Sequence, residues 1–278
     1  MKEIKRDGAI INYQVSGKGD KTLLFVHGSY IDKTYWNEQV NYFSQGNRVV
    51  TLDLPGHGRS GRERKNWSVQ SFAEDIVTLT KELDLKNVIL IGHSLAADIN
   101  LIAATSHPEL FKEFIAIDYY KNAATALPKE FQPQIEAIKA NLKKDFAGTN
   151  EQYARTALLT PKTPSAITDR VIKDYRNAFE PMGVETMPQI FEIYKVQKEL
   201  LPKLKFKLHL VNVDYIPTNE ELLKKYVPAG YDVFYMKGTC HFPMLESPAE
   251  LNRLLQQIID NLPVARSFKQ DHHTATTF

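Results

Sequence analysis

Cysteine is nearly absent from this 278-residue chain: the single Cys240 excludes an intrachain disulfide and cannot by itself make a zinc site. Long apolar runs are missing too. None approaches the roughly 20 residues that cross a bilayer, and the opening segment MKEIKRDGAI lacks the apolar stretch of a secretory signal. A cytoplasmic protein without membrane association is the expectation. Net charge is equally scant, with 35 Lys and Arg against 33 Asp and Glu. The long-range field is therefore weak, and no nucleic-acid partner is expected. The chain shows no internal repeat, and neither a metal nor a cofactor is expected; His272 and His273 could hold a metal only weakly in a mobile tail.

What is present is a regular alternation. IINYQV (10–15), TLLFV (22–26), RVVTLD (48–53), NVILI (87–91) and FKEFIAID (111–118) read as strands, with helical patterns near 33–44, 68–84 and after Ser94. In the second of these, Ser68 is placed to cap a helix that sets Val69, Phe72, Ile76 and Leu79 on one face. The continuous apolar run NVILI suits the buried centre of a parallel sheet. Strand and helix alternating in this way imply an α/β fold, a mostly parallel sheet flanked by helices.

From about 119 to 203 the rhythm breaks. Helical patterns such as FQPQIEAIKANLKKDF and AITDRVIKDYRNAF are separated by turns at Pro128, Pro161, Pro164, Pro181 and Pro188, with no strand alternation. An all-helical insertion between two strands reads as a cap over one end of the sheet. Alternation resumes with FKLHLVNVD (206–214), a helix near 218–226, DVFYM (232–236) and a closing helix at 248–262. The expected organisation is a core of residues 1–118 and 204–264, a helical cap at 119–203, and a flexible tail at 265–278.

Three stretches carry chemistry. GHSLA (92–96) sends a strand straight into a helix at Ser94, a reversal that strains the backbone and holds the hydroxyl out at the carboxyl end of the sheet. Ala96 stands where glycine is usual in this turn; its methyl group tightens helix packing without disturbing the nucleophile. FVHGSY (25–30) ends a strand with a turn whose backbone N–H can face that serine. MKGTCHFPMLESP (236–248) places His241 between the last strand and the last helix.

Together with DLPGHGRS (53–60) and VNVDYIP (211–217), these motifs resemble, over nearly all of residues 8–262, the α/β-hydrolases of the capped serine esterase type. The resemblance implies a Ser–Asp–His triad in that chain order, with Ser94 and His241 as two members. Asp214 ends a strand 27 residues before His241 and is the favoured acid; Asp118, at the end of the strand after the elbow, is the alternative. The local pattern Asn212-Val213-Asp214 lacks the glycine and the second acid common in the family. The resemblance also implies an oxyanion hole from the backbone N–H groups of Ser29 and Leu95, with the adjoining Gly28, Tyr30 and His93 as candidate substrate contacts. DLPGHGRS is then a structural turn, and Asp53 and His57 have no catalytic part. Asp98 is expected to pack or cap, Cys240 to be a small buried residue, and GRERK (61–65) to be a solvated loop.

The function these readings imply is hydrolysis of small carboxylic esters through an acyl-serine. A lactonase, thioesterase or amidase would use the same groups, and a slow-turnover ligand receptor could retain them. Epoxide hydrolases and dehalogenases of the family carry aspartate in place of Ser94, and carbon–carbon hydrolases typically have a tryptophan soon after the histidine; this chain has neither.

Overall fold

The computed structural model describes residues 2–262; the tail segment 265–278, with His272 and His273, lies outside them. Eight strands form one sheet: β1 (Lys2–Arg6), β2 (Ala9–Ser16), β3 (Thr22–Val26), β4 (Arg48–Leu52), β5 (Val88–His93), β6 (Phe111–Ile117), β7 (Leu208–Val213) and β8 (Tyr231–Met236). Their order across the sheet is β1-β2-β4-β3-β5-β6-β7-β8. The β1–β2 and β2–β4 pairings are antiparallel and all others parallel. The edge strand β1, which the polar, charged KEIKR does not announce, pairs with β2 from Lys2↔Tyr13 to Arg6↔Ala9.

The centre of the sheet is β5. Every residue of VILIGH is buried, and each of its large aliphatic side chains adds roughly 1.5–3 kcal/mol by leaving water. Helices α1 (Asn37–Phe43), α2 (Val69–Glu82) and α3 (Leu95–Ser106) follow β3, β4 and β5. The Ser68 side chain caps α2 by accepting from the Ser71 N–H at 3.0 Å. α2 packs on α3, and α3 lies against β5 and β6.

Between β6 and β7 the chain is helical throughout its regular elements: α4 (Gln132–Leu142), α5 (Phe146–Tyr153), α6 (Ser165–Arg176), α7 (Glu180–Glu192) and α8 (Tyr194–Leu200), with a π-helical turn at Ala154–Leu158. Two prolines expected to mark turns are inside a helix instead. Pro181 occupies the first turn of α7, where a missing N–H costs nothing, and Pro188 lies within it. The chain closes with α9 (Glu220–Tyr226), α10 (Pro243–Glu246) and α11 (Pro248–Asp260), the last lying against α1, β7 and β8. No described helix is long and apolar enough to cross a membrane.

The run GRERK is not simply solvated. Arg64 is buried and grips Asp75 of α2 with two nitrogens, at 2.8 and 2.6 Å, while Arg6 of β1 reaches the same carboxylate at 2.9 Å. A buried carboxylate is tolerated only with such partners, and these tie the loop and the edge strand to α2.

Candidate active site

β5 delivers Ser94 to the carboxyl end of the sheet with φ 57° and ψ −129°, a conformation that non-glycine residues rarely adopt. Its N–H donates to the Ile117 carbonyl at 3.1 Å and its carbonyl accepts from Ala97 at 2.8 Å. The reversal works because the residues around it are small. A Cβ on Gly92 would stand 2.7 Å from the Ala96 carbonyl oxygen and 2.6 Å from Asn100 Nδ2, and one on Gly28 would stand 3.1 Å from Ser94 Cβ. Ala96 itself is fully buried within α3, where helical dihedrals make no demand for glycine.

His241 is held from above and below. Its N–H donates to the Leu158 carbonyl of the helical insertion at 2.9 Å, and its own carbonyl accepts from His93 Nε2 at 2.7 Å. The His93 and His241 rings lie 4.5 Å apart. Burial, reinforced by the charge of His241, pulls the His93 imidazole down to about 3, so it is neutral. The bond to the carbonyl puts its proton on Nε2.

The acid beside His241 is Asp118. Its Oδ2 lies 2.5 Å from His241 Nδ1. Asp214, favoured from the sequence, is exposed and instead accepts from the Gly238 N–H at 3.0 Å, fastening the turns after β7 and β8. The contact of Asp118 rather than Asp214 with His241 has a local cause. β6 is the immediate neighbour of the β5 strand that carries the serine, and Asp118 leaves it with a left-handed φ of 50°. The position on β7 that faces this junction is Asn212, whose amide is committed to the Tyr119 N–H at 3.0 Å and the Thr218 hydroxyl at 2.8 Å.

Around Asp118 the structure gathers the Val213 N–H, donating to Oδ1 at 3.0 Å, the Lys121 ammonium, ion-paired with Oδ1 at 2.7 Å, and the Tyr215 hydroxyl, donating to Oδ2 at 2.9 Å. Burial alone would raise the carboxyl. The hydrogen bond and charge of His241, with those of Lys121, outweigh it and hold the group well below the usual carboxylate range. Lys121 and Tyr215 escaped the sequence reading. The three-residue spacing from Asp118 to Lys121 was the available signal, and the Tyr215 contact depends on which strand ends meet.

Ser29 and Leu95, the expected oxyanion donors, border one small cavity of about 10 Å³ with Gly28, Leu54, His57, Phe72, Ile99, Met182 and Thr186. That is room for about one water-sized group. Gly28 lies against Ser94. Tyr30 is buried, with its ring edge-on to Phe146 and Tyr175 of the insertion and its hydroxyl 3.5 Å from the Gly183 carbonyl. His93, expected among the substrate contacts, is buried and directs its donor at the His241 backbone.

DLPGHGRS is built as a turn. The Asp53 carboxylate accepts from the Lys33 N–H and Nζ at 2.8 and 2.5 Å and from the Arg59 N–H at 2.9 Å. A Cβ on Gly58, at φ +48°, would meet that carboxylate. His57 is buried, and burial with the charge of His27 pulls it down to about 3.

The chain belongs to the α/β hydrolase fold family, whose model matches residues 21–166. Strigolactone esterase D14 of Arabidopsis thaliana is 23% identical over 265 residues, which span 90% of this chain and 96% of that protein. Among solved structures, a thermophilic esterase from Thermogutta terrifontis has a TM-score of 0.80 at 17% identity, over 95% of this chain and 100% of that one. Est816, described as an N-acyl homoserine lactone degrading enzyme, has a TM-score of 0.78 at 21% identity, over 92% of this chain and 99% of that one. These structural likenesses show a shared fold.

Proposed function

We propose that this protein hydrolyses small carboxylic esters through an acyl-enzyme intermediate, with Ser94 as nucleophile, His241 as base and Asp118 as the acid that orients it. The observation that carries this reading is the 2.5 Å contact of His241 Nδ1 with a buried Asp118 carboxylate, in a histidine that packs on His93, the residue directly before the serine of a strained strand–helix junction. With Nδ1–H committed to the carboxylate, the lone pair resides on Nε2, the tautomer a general base requires. That nitrogen takes the Ser94 proton as the hydroxyl oxygen attacks the ester carbonyl. The resulting oxyanion is received by the Ser29 and Leu95 N–H groups; loss of one such donor costs on the order of 3 kcal/mol. Collapse expels the alcohol, protonated by His241. Water then repeats the sequence on the acyl-serine, releasing the acid.

The helical insertion serves as the cap. It fixes the backbone of His241 through Leu158 and packs Phe146 and Tyr175 onto Tyr30. A lactone is an ester closed on itself and passes through the same oxyanion. The likeness to Est816 makes small lactones the second substrate to try.

The test is hydrolysis of p-nitrophenyl acetate and of an N-acyl homoserine lactone by wild type and by Ser94→Ala. Rapid turnover with an acyl adduct on Ser94, lost in the variant, is expected. Equal, slow release by both proteins would reject the hydrolase reading and leave a binding protein on a hydrolase fold.

A further inference from the structure

We infer that Lys121 and Tyr215 are positioning residues that set the basicity of His241 by gripping Asp118, Lys121 at the oxygen away from the imidazole and Tyr215 at the oxygen that faces it. The inference rests on the reading of His241 as the base. Lys121 Nζ is 2.7 Å from Asp118 Oδ1 and 3.8 Å from the centre of the Tyr215 ring, so its charge is fixed between carboxylate and aromatic face. The Tyr215 hydroxyl lies 2.9 Å from Oδ2 and 3.4 Å from His241 Nδ1. Only 10% of the Lys121 side chain and none of Asp118's is exposed, so their interaction is weakly screened.

The electrostatic consequence follows from counting charges. With Lys121 present, Asp118 is already compensated while the imidazole is neutral, and protonating His241 leaves the cluster with one excess positive charge. Without Lys121, the same protonation makes a neutral ion pair. Lys121 therefore opposes the imidazolium and keeps the base in its working form at lower pH. Tyr215 acts in the same direction, because its hydrogen bond disperses carboxylate charge that would otherwise attract the imidazolium. The other titratable groups around this cluster are the neutral His93; Cys240 on the chain flanking His241, whose N–H donates to Glu246 at 2.6 Å; and Tyr153 and Tyr175 of the insertion, whose hydroxyls burial keeps protonated. All are unchanged in the variants below.

The experiment follows the His241 ring by NMR through a pH titration, in Ser94→Ala protein so that no turnover is needed, with and without Lys121→Met. In parallel, the acid limb of kcat/KM is measured in the active enzyme. Lys121→Met should raise both midpoints by about one pH unit, an approximately tenfold gain in proton affinity, and Lys121→Arg should restore the wild-type profile. A uniform loss of activity with unmoved midpoints would mean a merely structural role and overturn the inference. If the methionine variant does not fold, Tyr215→Phe reads the same effect: a smaller upward movement supports the inference and none overturns it. Because the ring titration does not depend on catalysis, a failed ester assay and a failed charge effect remain separate results.

Discussion

Asp118 and Asp214 end neighbouring parallel strands, carry the same functional group and both precede His241 in the chain, yet only Asp118 reaches the imidazole. Asp118→Asn is expected to lower kcat by roughly 10⁴, the scale of a misplaced tautomer, and Asp214→Asn by only a few-fold; steady-state assays of the two decide it. In the proposed triad, Ser94 and His241 are signalled by their flanking residues, because a strained strand-to-helix turn and a strand-to-helix loop are local features. Which carboxylate meets the imidazole is not signalled locally, since it depends on the backbone just beyond β6 and β7, on the left-handed conformation at Asp118 and on an amide at 212. Cys240 behaves as its setting suggested. Burial, with a contribution from Glu246, pushes its thiol up to about 12. Native protein at pH 8 should resist iodoacetamide, and protein unfolded in guanidinium should take up one equivalent per chain.

At the scale of single elements, the β5–α3 junction tolerates Ala96 but should not tolerate a side chain at Gly92, where a methyl group would meet the Ala96 carbonyl and the Asn100 amide. Helix α2 presents a different dependence. Removing Arg64 strands the buried Asp75 beside Arg6 alone, a loss for which about 3–5 kcal/mol is expected. Urea unfolding of Arg64→Ala should show it, with a midpoint barely altered by Arg62→Ala in the same loop. Periodicity revealed α2 and α11 because each has one buried face, whereas α3, buried at every position from Leu95 to Ala104, is marked by its apolar run after the turn at Ser94. It did not reveal that Arg64 turns inward, since a run of charged residues gives no hint of a partner eleven positions away. Pro188 also misled, because a proline marks a turn in sequence but can sit within a helix such as α7.

Across the whole molecule, the alternation of strands and helices and its interruption after β6 were legible from periodicity alone. What joins the insertion to the core was not. Asp98, fully buried in α3, accepts from the Tyr119 hydroxyl at 2.6 Å and from Gln197 of α8 at 3.1 Å. Burial pushes its carboxyl up to about 7 despite these hydrogen bonds. The folded state thus prefers the protonated acid. Its contribution is complete below the ordinary value of 3.8 and is lost as pH rises through about 7. Asp98→Asn should therefore gain Tm relative to wild type as pH goes from about 4 to about 8. A constant difference across that range would show that Asp98 is ionised in the fold throughout.

The place of Asp118 also bears on how this architecture can be recombined. Asp118, which contacts the imidazole, directly follows β6 where the helical segment departs from the sheet, and Lys121 belongs to the first turn of that departure. Swapping the helices for those of a relative directly after residue 118 would carry off Lys121 and leave the carboxylate without its counter-ion. A chimera joined just beyond residue 121, with Tyr215 retained on the returning side, would keep the charge cluster whole while exchanging the helical insertion.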